Sequence, residues 1–300
     1  MKVHAIDLEL MGTPGVVGAY FIPSALGHIL VDCGPGATLE KLYAGIKKLG
    51  FEPTDIKHLL LTHIHLDHAG AAGRLARELG LRVHVHRHGA GHLLRPERLI
   101  ESATRVYGAM MDVLWGAFEA VPENQLTILE GGETLNISGL EFQAFYTPGH
   151  AIHHLAYFVD DTIFSGDVGG VRLQGSSHVV APTPPPDIDL EAWRNSITTL
   201  RGLNAARILV SHYGEFDNVS DHLDRLERNI SHLEQLSLEV LRVGGGREKI
   251  AERIEILSGE QISTASDSTM NTRYQLATPY LMAADGLLRY WQRKRPEALV

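Results

Sequence analysis

Cysteine is nearly absent from this sequence: among 300 residues there is one, Cys33. A single thiol excludes an internal disulfide framework and fits a reducing compartment. No apolar run approaches the ~18–20 residues that a membrane-spanning helix requires. The opening MKVHAIDLEL carries no cationic stretch leading into a long apolar one, so no secretory signal is expected. Basic charge is also scarce: 27 Lys and Arg stand against 36 Asp and Glu, a formal net charge of −9. That balance argues against nucleic acid as a partner, because binding phosphates takes clustered cations. Together these absences lead us to expect a cytoplasmic globular protein with neither a membrane nor a nucleic-acid partner. With 44% hydrophobic residues there is ample material for a core, in one large domain that could carry a small appendage. Histidine is the residue in surplus, at seventeen.

The first third reads as short strands joined by glycine turns (VHAIDLEL, VVGAYFIP, HILVDCG), then a helix with Leu39, Leu42, Tyr43 and Ile46 as its apolar stripe, stopping at Gly50. IKHLLLT has strand length and an apolar character that suits burial on both faces. AGAAGRLARELG reads as a short helix ending at Gly80, and LRVHVH as a strand, which completes an α/β alternation. Residues 92–121 interrupt it. Leu99, Ala103, Val106, Tyr107, Met110, Leu114 and Trp115 recur at helical steps and predict one long amphipathic helix. Its apolar stripe packs on the core, or it overhangs a cleft, or its outer side serves a dimer interface. From 126 to 168 the pattern predicts β-hairpins, and APTPPPDID leads into a helix capped by Asp189. Beyond residue 217 the chain turns helical, which divides it into a catalytic section, 1–217, and a C-terminal helical section, 218–300.

Chemistry concentrates in LLLTHIHLDHAG. His63 and His65, two apart in extended chain, project to the same side, and Asp67 and His68 follow where the chain must turn. Imidazole and carboxylate together suit zinc, iron or manganese better than calcium. Four residues cannot fully coordinate two ions, and three further strand ends offer donors: His150 in FYTPGH, Asp167 in TIFSGD and His212 in RILVSHYG.

In this order THIHLDH, TPGH, SGD and SHYG resemble the metallo-β-lactamase superfamily of metallohydrolases, and within it the glyoxalase II-like branch. The resemblance covers about residues 3–215. It implies an α/β fold, the four-layer αββα sandwich. It implies that His63, His65 and His150 hold one metal, that Asp67, His68 and His212 hold a second, and that Asp167 bridges them. It implies that Asp32 of ILVDCG supports the site without ligating, and it makes His154 a supporting or substrate-side residue. His178, in the loop before the prolines, and Tyr213, beside His212, are further substrate-side candidates. His84, His86, His88 and His92 lack a carboxylate or cysteine to complete a site and read as a solvated strand end, while His153 reads as packing or surface.

The expected activity is that of a hydrolase with two divalent metal ions, zinc first, with iron or manganese as alternatives. A hydroxide shared by the metals would attack a small-molecule ester, thioester or lactone. Asp67 is placed to relay a proton. Two alternatives use the same ligands: an iron-dependent sulfur dioxygenase, and a phosphodiesterase, which the net charge of −9 disfavours.

Overall fold

A computed structural model describes residues 1–262 and 269–299. The chain forms β1 (His4–Asp7), β2 (Gly18–Ile22), β3 (His28–Val31), α1 (Leu39–Lys48), β4 (Ile56–Leu60), α2 (Leu66–Ala69), α3 (Ala72–Leu79), β5 (Arg82–His86), α4 (Arg87–Leu94), α5 (Glu97–Tyr107) and α6 (Met111–Leu114). There follow β6 (Leu126–Leu129), β7 (Thr134–Ile137), β8 (Leu140–Tyr146), β9 (Leu155–Val159), β10 (Thr162–Phe164), α7 (Leu190–Gly202), β11 (Arg207–Val210) and β12 (Gly214–Phe216). Four helices close the chain: α8 (Val219–Arg242), α9 (Arg247–Ile262), α10 (Met270–Ala277) and α11 (Tyr280–Lys294).

The strands make two six-stranded sheets, ordered β1-β2-β3-β4-β5-β6 and β12-β11-β10-β9-β8-β7. Side-chain alternation along each strand builds the layers. Tyr20, Ile22, Val31 and Leu60 of the first sheet meet Phe142, Leu155, Tyr157 and Phe164 of the second in one buried cluster. The opposite faces carry helices. Phe21, Leu30 and Leu59 pack with Leu42 and Ile46 of α1 and Leu75 of α3. Ile163, Ile208 and Val210 pack with Trp193 of α7, Leu223 and Leu226 of α8 and Leu287 of α11. The result is the αββα sandwich, with the C-terminal helices as part of its second outer layer.

Two sequence expectations need correction, and one helix was not anticipated. The long helix expected over 92–121 is broken into α4, α5 and α6: Pro96 stands before α5 and Gly108, at φ 52°, ends it. The apolar stripe survives the breaks because Leu99, Tyr107, Met111, Leu114 and Phe118 still gather around Leu66, Ala103 and Trp115. β6 makes no hairpin with β7: it runs parallel to β5 at the edge of the first sheet, and the chain then crosses to the second. α10 carried no recognisable pattern of its own. Asp189 does cap α7, its Oδ1 accepting from the Ala192 N–H at 3.0 Å. No helix among the described residues is long and apolar enough to cross a membrane.

Candidate metal centre

Beyond the end of β4 the backbone stays tied on three sides. Leu60 O accepts from Asp32 N–H at 3.0 Å, Leu61 N–H donates to His84 O at 3.0 Å, and Thr62 O accepts from Leu155 N–H at 2.7 Å. These bonds make the strand end a rigid platform, from which His63 and His65 project while Ile64 turns into the core. Asp67 and His68 lie on the single turn of α2. His150 follows β8, Asp167 follows β10 and His212 follows β11. The turn before Asp167 requires Gly166: its φ is +52°, and a Cβ there would meet His154 Nε2 at 2.5 Å.

The seven side chains converge in two groups. In the first, His65 Nδ1 lies 3.1 Å from His63 Nε2 and 2.9 Å from His150 Nε2. Asp167 Oδ2 is 3.4 Å from His150 Nε2 and 3.8 Å from His63 Nε2. In the second, Asp67 Oδ2 is 3.4 Å from His68 Nε2 and 3.3 Å from His212 Nε2. Asp167 reaches this group too, with Oδ1 3.6 Å from His68 Nε2 and Oδ2 3.7 Å from His212 Nε2.

Hydrogen bonds assign the tautomers. His150 Nδ1–H donates to Pro182 O at 2.9 Å and His212 Nδ1–H to Val16 O at 3.0 Å. Thr62 gives its hydroxyl proton to Asp32, so its oxygen accepts from His63 Nδ1–H at 3.0 Å. Each of these three rings therefore turns an Nε2 lone pair inward. One Nδ1 proton on His65 can serve only one of its two neighbours at full strength, so lone pairs face one another at about hydrogen-bond distance. His68 Nε2 and Asp167 Oδ1 are buried with no hydrogen-bond partner among the described residues. Converging lone pairs and orphaned donors of imidazole and carboxylate type are what a first-row divalent cation would satisfy.

The electrostatics point the same way. Burial holds His63 well below the ordinary histidine range and takes His65 down to about 3, with neighbouring imidazoles adding to both effects. Burial opposes ionisation of Asp67 and Asp167. Against it, His68 with His212 holds Asp67 well below the carboxylate range, and His68, His212 and His150 hold Asp167 down. Neutral imidazole and ionised carboxylate are the metal-binding forms, and the first group holds them. In the second, burial is outweighed by Asp67 and Asp167, which raise both His68 and His212 above the ordinary histidine range, a protonation that a bound cation would replace.

Asp32 sits at the crossing of three strand ends. Its Oδ1 accepts from Thr62 N–H at 2.8 Å, and its Oδ2 accepts from Ser211 Oγ at 2.7 Å and faces His68 Nδ1 at 3.5 Å. It holds this position at φ +55°, a backbone strain common at functional sites. Both nitrogens of His154 are occupied: Nδ1–H donates to Thr147 Oγ1 at 2.9 Å and Nε2 accepts from Val168 N–H at 3.3 Å. Its ring stacks on His63 at 5.2 Å, so it braces the Asp167 turn and His63.

Tyr213 lies against β2, where a Cβ on Gly18 would meet its ring at 2.3 Å, and burial with the nearby Asp7 charge raises its phenol pKa. His178 packs on Tyr274 of α10 at 5.2 Å between ring centres, and its carbonyl accepts from the Tyr274 hydroxyl at 2.7 Å. The contacts of these two thus run to the loop before β2 and to the C-terminal helices. His153, read as packing or surface, is buried: its Nδ1 accepts from Ile64 N–H at 3.4 Å and its ring lies edge-on to His65. Of the four histidines read as a solvated strand end, His88 and His92 are exposed, though on α4, whereas His84 and His86 are buried. His84 is buried against His58, Nε2 to Nδ1 at 3.1 Å, His86 stacks on Tyr146 at 4.4 Å, and His88 lies on α4 rather than on the strand. The Pro182 carbonyl and Tyr107 went unmarked in the sequence. A carbonyl has no residue-type signal, and Tyr107 was one apolar-stripe residue among several.

The fold and this donor set define a class, the αββα metallohydrolases. The chain belongs to the metallo-beta-lactamase superfamily, whose family model matches residues 12–212, and its homologues of this fold are metal-dependent hydrolases. It is 29% identical over 199 residues to the metallo-beta-lactamase fold-containing protein ST1585 of Sulfurisphaera tokodaii, covering 65% of this chain and 72% of that one. It is 30% identical over 188 residues to hydroxyacylglutathione hydrolase GloC of Haemophilus influenzae, covering 62% and 80%. It is 25% identical over 274 residues to atrochrysone carboxyl ACP thioesterase of Aspergillus fumigatus, covering 87% and 73%. Among solved structures, metallo-beta-lactamase family protein TTHA1429 of Thermus thermophilus superposes with a TM-score of 0.71 at 19% identity, covering 97% of this chain and 93% of that one. At that identity the likeness speaks for the fold alone.

Proposed function

We propose that this chain is a binuclear metal-dependent hydrolase of small-molecule thioesters, with esters and lactones as neighbouring substrate classes, on the glyoxalase II-like side of its superfamily. The observation that carries this reading is Asp167, whose carboxylate lies within 3.8 Å of donor nitrogens from both groups. His63, His65 and His150 would hold one ion, Asp67, His68 and His212 the other, and Asp167 would serve both, with zinc the first metal to test. Such ions lower the pKa of a coordinated water toward neutrality and polarise a carbonyl oxygen.

The remaining work falls to the protein's own groups. Pro182 O, Val16 O and Thr62 hold the His150, His212 and His63 rings with Nε2 inward. Asp32 Oδ2 faces His68 Nδ1 at 3.5 Å and would orient that ring. Asp67 is 19% exposed, against 4% for Asp167, so it is the carboxylate that can pass a proton outward. Leu66, immediately before it, packs with Trp115, Tyr107 and Met111, an apolar wall beside the donors that suits an uncharged acyl group.

Thioesters head the substrate list because a hydroxyacylglutathione hydrolase and an acyl-carrier-protein thioesterase are among the relatives. We assign residues 1–217 to the catalytic section and 218–300 to the helical section, and we place the protein in the cytoplasm. The test is metal analysis of the isolated protein, coupled to turnover of thioester, lactone, phosphodiester and β-lactam substrates. We expect two ions per chain and thioester cleavage that a chelator abolishes and zinc restores. Fewer than one ion after reconstitution, or turnover confined to phosphodiesters, would overturn the reading.

A further inference from the structure

The loop Ala181-Pro182-Thr183-Pro184-Pro185-Pro186 has four prolines in six residues, and proline has no N–H to donate. Such a segment cannot hold itself in place through a backbone ladder; outside contacts must position it. Those contacts come from the C-terminal helices. On α8, Asn229 Oδ1 accepts from Ala181 N–H at 2.9 Å. On α11, Ala283 O accepts from Thr183 Oγ1 at 3.1 Å, and Arg289 Nε donates to Pro186 O at 3.2 Å. Between these two, α11 meets the loop backbone to backbone. A Cβ on Gly286 would stand 1.9 Å from Thr183 O and 3.0 Å from the Pro184 carbonyl carbon. Glycine is a poor helix former, and here the close approach requires it.

The helix is itself anchored. Trp291 Nε1 donates to Ser237 Oγ of α8 at 2.9 Å, and the Tyr290 hydroxyl donates to Glu191 of α7 at 2.9 Å. The held loop presents one carbonyl to the metal centre: Pro182 O, which accepts from His150 Nδ1 at 2.9 Å. The partner of a ligand's second nitrogen sets the ring's tautomer and orientation. The hydrogen-bonded path from α11 to the Pro182 carbonyl therefore runs through Thr183.

We propose that α11 is a positioning element for the metal centre: by seating the proline loop through Gly286 and Thr183, it fixes the Pro182 carbonyl and sets how tightly the His63–His65–His150 group binds its ion. This rests on the reading of His150 as a metal ligand. The C-terminal helices thereby acquire a role in building the centre, apart from any contact with substrate.

The experiment titrates metal-free protein with zinc against a competing chelator, resolving the two binding constants, and records the unfolding midpoint of the same samples without metal. The variants are Gly286→Ala, which forces α11 off the loop, and Thr183→Val, which removes the hydroxyl at nearly constant volume. Gly259→Ala, on α9 where a Cβ meets nothing within 4 Å among the described residues, is the control. We expect the two test variants to weaken one zinc constant about 10–100-fold, the scale for a ligand's hydrogen-bond partner, leaving the other within about twofold and the control unchanged. If Gly286→Ala does not fold, Thr183→Val decides. Two unchanged constants in a folded variant, or two that fall together in step with the unfolding midpoint, would overturn the brace and leave the metal centre standing. Wild-type protein that took up no zinc would overturn the metal-centre reading and the brace with it.

Discussion

Among single residues, Tyr107 stands beside the donor set with its hydroxyl only weakly engaged. Its hydroxyl donates to a thioether, Met282 Sδ at 3.7 Å, a weak acceptor. Its ring is fixed edge-on to Trp115 at 5.1 Å, within the cluster that includes Leu66. Burial, with the Asp67 charge contributing, pushes its phenol up, so it stays a donor across the working pH range. Tyr107→Phe preserves the ring packing and removes the donor. We expect KM for a short-chain thioester to rise about 2–13-fold, the range of one neutral hydrogen bond, at unchanged metal content. Steady-state kinetics alongside metal analysis checks this, and an unchanged KM would make Tyr107 a wall residue only. Asp32 shows the other side of residue-scale economy: one buried carboxylate accepts from Thr62 and Ser211 and faces His68. It joins three strand ends and faces the turn of α2 that carries His68.

At the scale of elements, the pairing of β4 with β5 carries a pH liability. His58 and His84 meet across these parallel strands at 3.1 Å. Burial takes His84 down to about 3, and the His58 and Arg82 charges act in the same direction. Below pH ~6.5 the unfolded chain therefore takes up a proton that the folded His84 refuses, and stability falls as the pH drops from there toward 3. His84→Leu removes that proton from the balance. Between pH 6.5 and 5 we expect the variant to lose about 1–2 kcal/mol less stability than the parent. Denaturant unfolding of both proteins stripped of metal measures the difference, since the buried histidines away from the His58–His84 pair then contribute equally to each. A parallel loss in both would remove His84 from the acid response.

On the scale of the whole molecule, residues 1–217 and the C-terminal helices share one core. Ile208 and Val210 beneath the metal centre, Trp193 and Leu200 of α7, and Leu223, Leu226 and Leu287 of the C-terminal helices are buried in a single cluster. Ending the chain at residue 217 would bare the α7 and β11 side of that cluster. Each large apolar side chain returned to water costs about 1.5–3 kcal/mol, and a few of them match the whole stability of an ordinary domain. We therefore expect residues 1–217 alone to aggregate or remain unfolded. Size-exclusion chromatography and thermal unfolding of that fragment test this, and a soluble monomer with a cooperative transition would contradict it.

Much of the centre was legible because its donors lie beside their own strand ends. A His or Asp directly after an apolar run carries local information, as in LLLTHIHLDH, TIFSGD and RILVSHYG. The α/β alternation was legible for a similar reason, since strand alternation and helix stripes repeat over a few residues; the four-layer sandwich was implied by the family resemblance. The break of the 92–121 helix was readable at Pro96 and Gly108 in hindsight, but the stripe overrode those signals because its residues still face one cluster. Tertiary structure alone decided the partners: Val16 and Pro182 carbonyls for His212 and His150, Asp32 for Thr62 and Ser211, Gly286 for the proline loop. Backbone carbonyls are identical at every residue, and contacts between residues 183 and 286 leave no period in the chain. The sequence by itself determined which atoms could bind metal; only the fold determined which of their lone pairs turn inward, because a ring's tautomer depends on a partner that can lie far away along the chain.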